Sequence, residues 1–254
     1  MLILTYFLCL IVYSVIGWAY ESALCSIKEG ALINRGFLNG PVCPVYGFGA
    51  LTSIVFLYQR TGNLLLLFLA GMLLSCTVEY ITAVLLEKIF NTKWWDYSNY
   101  RFNLQGRISL LGTVVFGILS ALLVKYIHPV VSGFIYGLPF RVLLTSSLTA
   151  FIILMTDLYF TVRHLLLLNG RLQEIQYAIN CFVGQYAKRA GTLKDSLLDK
   201  FEESDFYSDR IKILFSLSRF QNIRLARAFP RLKSVKYNDA WQKLKTTLLG
   251  TDDE

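Results

Sequence analysis

Charge and histidine are scarce in this sequence, and each shortage excludes something. Charged residues occupy 17% of 254 positions, against about a quarter in an ordinary soluble domain. Hydrophobic residues take 55%, so bulk composition points to a protein of the membrane. The only histidines are His128 and His164. They accompany no Ser-His-Asp or Cys-His arrangement and no metal-ligand spacing. Cys9 and Cys76 sit in apolar runs, where thiols behave as small hydrophobes. Cys25, Cys43 and Cys181 show no CxxC or zinc spacing. The phosphate-loop pattern Gly-x4-Gly-Lys-Ser/Thr is also missing, which removes that route to ATP hydrolysis. No catalytic residues, metal or cofactor are therefore expected. The first apolar run has no Lys or Arg ahead of it and no small-x-small site behind it, so it reads as a retained span rather than a leader.

Long apolar runs are abundant instead. About 20 such residues cross roughly 30 Å of hydrocarbon. Five stretches qualify: 2–22, 42–59, 64–86, 108–127 and 142–164. The expected fold is all-α, a polytopic integral membrane protein with about five transmembrane helices and a soluble helical C-terminal tail. Residues 1–168 form the transmembrane domain, and 169–254 a basic cytoplasmic helical tail. The second stretch is the shortest and opens with Pro41 and Pro44, residues suited to a helix start. Gly36, Gly40, Gly47 and Gly49 surround those prolines. The pattern fits a tight loop before a Gly-rich helix start better than a re-entrant segment, which is tolerated only where protein covers it.

The net charge is +3 over residues 1–162 and +5 over 163–254. Lys28, Arg35, Lys88, Lys93, Arg101, Arg107 and the tail lie on one side of the spans. Arg60, Lys125 and Arg141 lie on the other. Positive charge marks the cytoplasmic side, which puts the N-terminus outside and the tail inside. In the tail, Leu172, Ile175, Ile179, Phe182 and Tyr186 recur at helical spacing. A basic helix is expected over 208–228, with Ile211, Leu214, Phe215, Leu217 and Leu225 beside Arg210, Lys212, Arg219, Arg224 and Arg227. Pro230 should end it, and Trp241, Leu244 and Leu248 mark a third short helix. Such a basic face suits anionic lipid headgroups or plain solvation. No nucleic-acid motif is present.

Three acids fall within or at the ends of spans: Glu21, Glu79 and Asp157. A charge in mid-bilayer costs about 2.5–3.5 kcal/mol on insertion scales, so it faces the bundle and finds a partner. Ser75, Glu79 and Thr82 follow i, i+4, i+7 spacing on one helix face. Gly17, one turn before Glu21, leaves room for a neighbouring helix. Arg107 begins the fourth span at the same level. Glu21, Glu79 and Arg107 are therefore expected to form one charge cluster, lining a substrate path or fixing packing as an ion pair. Asp157 is expected to be structural.

Residues 94–107 read WWDYSNYRFNLQGR. An aromatic belt at the interface explains the rings of Trp94, Trp95, Tyr97 and Tyr100, but leaves Asp96, Asn103 and the Gly106-Arg107 pair unexplained. Trp94, Trp95, Asp96, Tyr97, Asn103 and Gly106 are therefore expected to form a cytoplasmic loop motif above the cluster. Residues 17–22 (GWAYES), 36–49 (GFLNGPVCPVYGFG), 94–98 (WWDYS) and 102–109 (FNLQGRIS) resemble the CmpB-like family of ABC-transporter type IV permeases over roughly 1–160. The resemblance implies a bacterial multi-spanning permease subunit in the lipid bilayer, with a separate ATP-hydrolysing subunit and a homo-oligomer as partners, and it brings no substrate. Two other readings compete. One is a non-catalytic scaffold or regulatory protein that recruits partners through its tail. The other is a membrane-embedded enzyme using Asp96, Glu79 and Tyr97. Reporter fusions after residues 60, 100, 130 and 200 should place 100 and 200 inside and 60 and 130 outside; residue 100 outside would undo the cluster.

Overall fold

The computed structural model describes residues 1–190, 201, 204, 207 and 209–250, with the side chains of 186–190 and 210 set aside. The expected contributions of Tyr186, residue 208 and Arg210 lie outside the described residues. Among the described residues the regular secondary structure is helical apart from four two-residue strands. Four helical stretches are long and apolar enough to cross a membrane: Leu2–Glu29, Leu64–Phe90, Leu110–Tyr136 and Phe140–Gln185. The protein is an all-α, multi-pass membrane protein. The chain divides into two compact units, one of residues 1–85 and 95–162, the other of 86–94 and 163–254.

The first unit contains α1 (Leu2–Glu29), α2 (Pro44–Leu57) and most of α3 (Leu64–Phe90). A hairpin of β2 (Asn103–Leu104) and β3 (Ile108–Ser109) leads into α4 (Leu110–Leu122). The path continues through a π-helical turn, Leu123–Ile127, into α5 (His128–Tyr136) and the start of α6 (Phe140–Ala190). Its core gathers Cys9, Tyr13, Ala50, Ile54, Ile135 and Leu143. Leu73, Leu111, Ile152 and Ile153 instead point outward. That would be costly in water, but lipid tails are as apolar as these side chains.

The helices differ from the expected spans at several ends: α1 runs past 22 to Glu29 and α3 past 86 to Phe90. The second span, expected over 42–59, is a helix of only 14 residues, about 21 Å long at 1.5 Å per residue. The fourth does not stop at 127, because Pro129 sits in the first turn of α5 and the helix passes over it. Proline lacks the N–H that a straight helix requires. The chain answers by widening, and the His128 N–H reaches Leu123 O five residues back. The buried ring of His128 then meets the Tyr13 hydroxyl at 2.7 Å and lies edge-on to Tyr58 at 4.5 Å. The expected loop at 128–141 shrinks to 137–139. The last span does not end at 164, since α6 is one helix to Ala190.

The second unit is built on α6 from residue 163. Leu172, Ile175, Ile179 and Phe182 of the amphipathic face read from the sequence are buried, and Leu165 and Leu168 extend the stripe. The helix expected over 208–228 is split into α7 (Asp209–Ser216) and α8 (Arg219–Ala228). The break falls at Ser218, whose φ of 54° is left-handed. Pro230 follows the end of α8, and α9 (Asn238–Leu249) buries Trp241, Leu244 and Leu248. Trp241 Nε1 donates to Leu232 O at 3.0 Å. Gln176 holds α9 to α6, accepting from Ala240 N and donating to Asp239.

This unit also takes in residues 86–94. Asn91, at φ 50°, turns the chain out of α3. Strand β1 (Thr92–Lys93) then pairs antiparallel with β4 (Lys233–Ser234), and Val235 N donates to Asn91 O at 2.7 Å. Trp94, 4% exposed, stands edge-on to Phe229 at 4.9 Å. The first tryptophan of the loop is thus a core residue of the second unit. Trp94→Ala should loosen that unit by about 3–5 kcal/mol, the usual cost of truncating a buried large aromatic. Hydrogen–deuterium exchange should then rise in α8 and α9 while α1 and α2 keep their protection.

Candidate functional site

After α1 ends at Gly30, the chain runs back along that helix without helical structure as far as Cys43. The return is legible in its hydrogen bonds. Ile33 N donates to Ser26 Oγ, Arg35 N to Ser22 Oγ, and Cys43 N to Ser14 O. From Ser26 to Ser14 is about 18 Å of helix, so the segment returns deep along α1. Backbone groups there need protein partners, because hydrocarbon supplies none. Trp18 Nε1 donates to Asn34 Oδ1, and Asn34 Nδ2 to Asn39 O, each at 2.7 Å. Asp157 on α6 accepts from Asn39 N at 3.0 Å, Gly40 N at 2.7 Å and Asn39 Nδ2 at 3.1 Å. The stretch before α2 is thus a longer non-helical segment hydrogen-bonded along α1 rather than a tight loop, and Asp157 holds it in place. Helix α2 does start at Pro44, with Gly47 and Gly49 in its first two turns.

Glu21 lies where the returning segment, α1 and α2 meet. Arg35 Nε donates to Glu21 Oε2 at 3.2 Å, and the Tyr46 hydroxyl donates to Glu21 Oε1. Gly17 makes this geometry possible: a Cβ there would overlap the Tyr46 ring. Gly47 plays the same part against Ser14 Oγ and Leu10 O. Small residues at both crossings let α1 and α2 approach closely.

Beside this cluster lies a cavity of about 170 Å³ between α1, α2, α3 and α4. Tyr20, Tyr46 and Phe116 give it aromatic walls, and Ser75, Glu79 and Ser120 its polar groups. Ser120 Oγ lies 3.0 Å from Ser75 Oγ and 3.3 Å from Ser53 Oγ. Glu79 is 7% exposed, and its Oε2 has no hydrogen-bond partner. Ser75 and Glu79 do share a helix face, as their spacing suggested.

Loop 95–109 is largely occupied in building itself. Trp95 Nε1 donates to Arg107 O at 2.8 Å, and Asp96 Oδ1 accepts from Ser98 N at 2.9 Å. Tyr97 N donates to Gly106 O, and Gly106 N to Asn103 Oδ1, both at 2.8 Å. Gln105 and Gly106 have φ of 54° and 70°, and Arg107 N donates to Leu104 O at 3.0 Å. Two left-handed central residues make the tight turn that matches the twist of a hairpin. Arg107 itself donates to Gln105 Oε1, and its guanidinium lies 5.5 Å from the Tyr80 ring centre.

The structure thus brings Glu21 and Glu79 to neighbouring positions but gives Glu21 its cation from Arg35. Arg107, placed in the cluster on span level alone, is engaged at the turn. Among the loop residues, Tyr97 lies near enough to Glu79 and Glu21 to feel their charge. Burial, with the Glu79 and Glu21 carboxylates nearby, pushes its phenol above the usual tyrosine value. It therefore stays a neutral donor at physiological pH. Arg35 and Tyr46 were missed. The GFLNGP stretch looked like a connector, and nothing in local spacing pairs Arg35 with a residue 14 positions earlier.

Such a broken membrane segment beside a buried carboxylate and an aromatic cavity belongs to a polytopic membrane protein with a built internal site. The family model described as "Putative ABC-transporter type IV" matches residues 8–162, and the chain belongs to that family. The match supports a transporter-related role. No curated protein and no solved structure matches the chain.

Gly17→Ala should displace Tyr46 and break its bond to Glu21, lowering stability by about 1–3 kcal/mol as overpacking does. A melting curve in detergent checks it. An unchanged midpoint would mean that the helices part easily at this crossing.

Proposed function

We propose that this protein is the membrane-spanning permease subunit of an ABC-type transporter, with ATP hydrolysed by a separate subunit. The observation that carries the reading is family membership across residues 8–162, the part of the chain that contains the returning segment, Glu21 and Glu79. The cavity supports it, because transport needs a place inside the membrane where a solute can dwell. Discontinuous membrane segments beside such a place are a recurring device of transporters.

In this reading Glu21 with its Arg35 and Tyr46 partners fixes the break, and Glu79 presents the free carboxylate oxygen to the path. Loop 95–109, through Tyr97, covers that level. The N-terminus lies outside and the tail in the cytoplasm, where the hairpin loop and the second unit offer surfaces for the ATPase. Five crossings are few for a solitary pathway, so two copies or a second membrane subunit complete it.

The full chain, extracted in mild detergent at near-native expression, should co-purify with an ATPase that carries a phosphate loop. Recovery with other partners and no ATPase would sink the ABC assignment and favour a scaffold acting through the tail.

A further inference from the structure

The cavity beside Glu79 has a definite chemical preference. At about 170 Å³ it matches the scale of cavities near 150 Å³ that accept benzene. The Tyr46 ring lies 5.6 Å from Phe116 and 6.4 Å from Tyr20, both at 60°, so three rings enclose one side. Ring faces attract cations. The same cavity is lined by Glu79, which is 7% exposed and has one side-chain oxygen lacking a hydrogen-bond partner. A buried carboxylate without a partner is costly. A ligand that brings both N–H donors and positive charge removes that cost, and the Ser75 and Ser120 hydroxyls beside Glu79 can accept further N–H bonds. Among the described residues lining the cavity there is no Lys, Arg or His, so no protein cation in the lining competes for Glu79.

We propose that this cavity binds a small amine with an apolar body, its ammonium on Glu79 and its hydrocarbon between Tyr20, Tyr46 and Phe116. As a transported substrate the amine rests on the permease reading above, whereas its binding is a property of the isolated chain. Ser75 positions the ammonium beside the carboxylate, and the rings select against a strongly hydrated head such as a free metal cation.

The test is calorimetric titration of the purified full chain in detergent with 2-phenylethylammonium, its neutral analogue 2-phenylethanol, and the anion phenylacetate. Saturable binding of the amine is expected, with at least about tenfold loss in Glu79→Gln, as removal of a charge-assisted hydrogen bond gives. A second variant leaves the carboxylate alone. Gly49 lines the cavity, and a Cβ there meets nothing within 4 Å, so Gly49→Leu should fill the space and weaken the amine while the protein still elutes as folded. Equal affinity in wild type and Glu79→Gln, tighter binding of phenylacetate, or no saturable amine binding by the wild type would each overturn the proposal. An ATPase partner without amine binding would remove this inference and keep the permease; amine binding without an ATPase would do the reverse.

Discussion

The rest of the first unit depends on how the backbone of residues 31–43 is satisfied. A peptide group inside hydrocarbon with no partner costs several kcal/mol, and helix formation is the ordinary way to supply one. This segment forgoes the helix, so its partners must come from elsewhere: serines on α1, Asn34 within the segment, and Asp157 on α6. From that constraint follow the short α2, the small residues where α2 meets α1, and the delivery of Arg35 to Glu21. The ion pair results from the break, because a helical span would have set Arg35 elsewhere.

Helix periodicity and apolar length were enough to read the four long spans and the tail stripe from Leu172 to Phe182. Those features rest on local pattern, and local pattern is what a sequence displays. The return of residues 31–43 along α1, the continuation past Pro129 and the pairing of Arg35 with Glu21 were not legible. Each depends on a partner from a distant part of the chain or on a compensation, such as the π-turn, that proline does not announce. The same limit explains Trp94. Within a run of two tryptophans nothing distinguishes the ring that packs on Phe229 from the one that donates to Arg107 O.

The polar loop 95–109 is mostly self-contained, while the less conspicuous GFLNGP stretch holds the structural centre. Density of functional groups in sequence measures hydrogen-bonding capacity. Asp96, Asn103 and Gly106 use theirs to close a turn. Glu79 differs because its capacity is left over after the fold is complete, and a leftover buried oxygen points to a ligand more directly than a crowded loop does.

Asp157 has a consequence for how the protein is made. It is synthesised 118 residues after Asn39, so α1 through α5 are all made before the carboxylate that receives the Asn39 and Gly40 amides exists. Until then those amides must stay with water or with the insertion machinery, and the second segment cannot settle at its final depth. Membrane integration of this chain is therefore not a simple sequence of finished helices: the segment leading into α2 is completed only by α6.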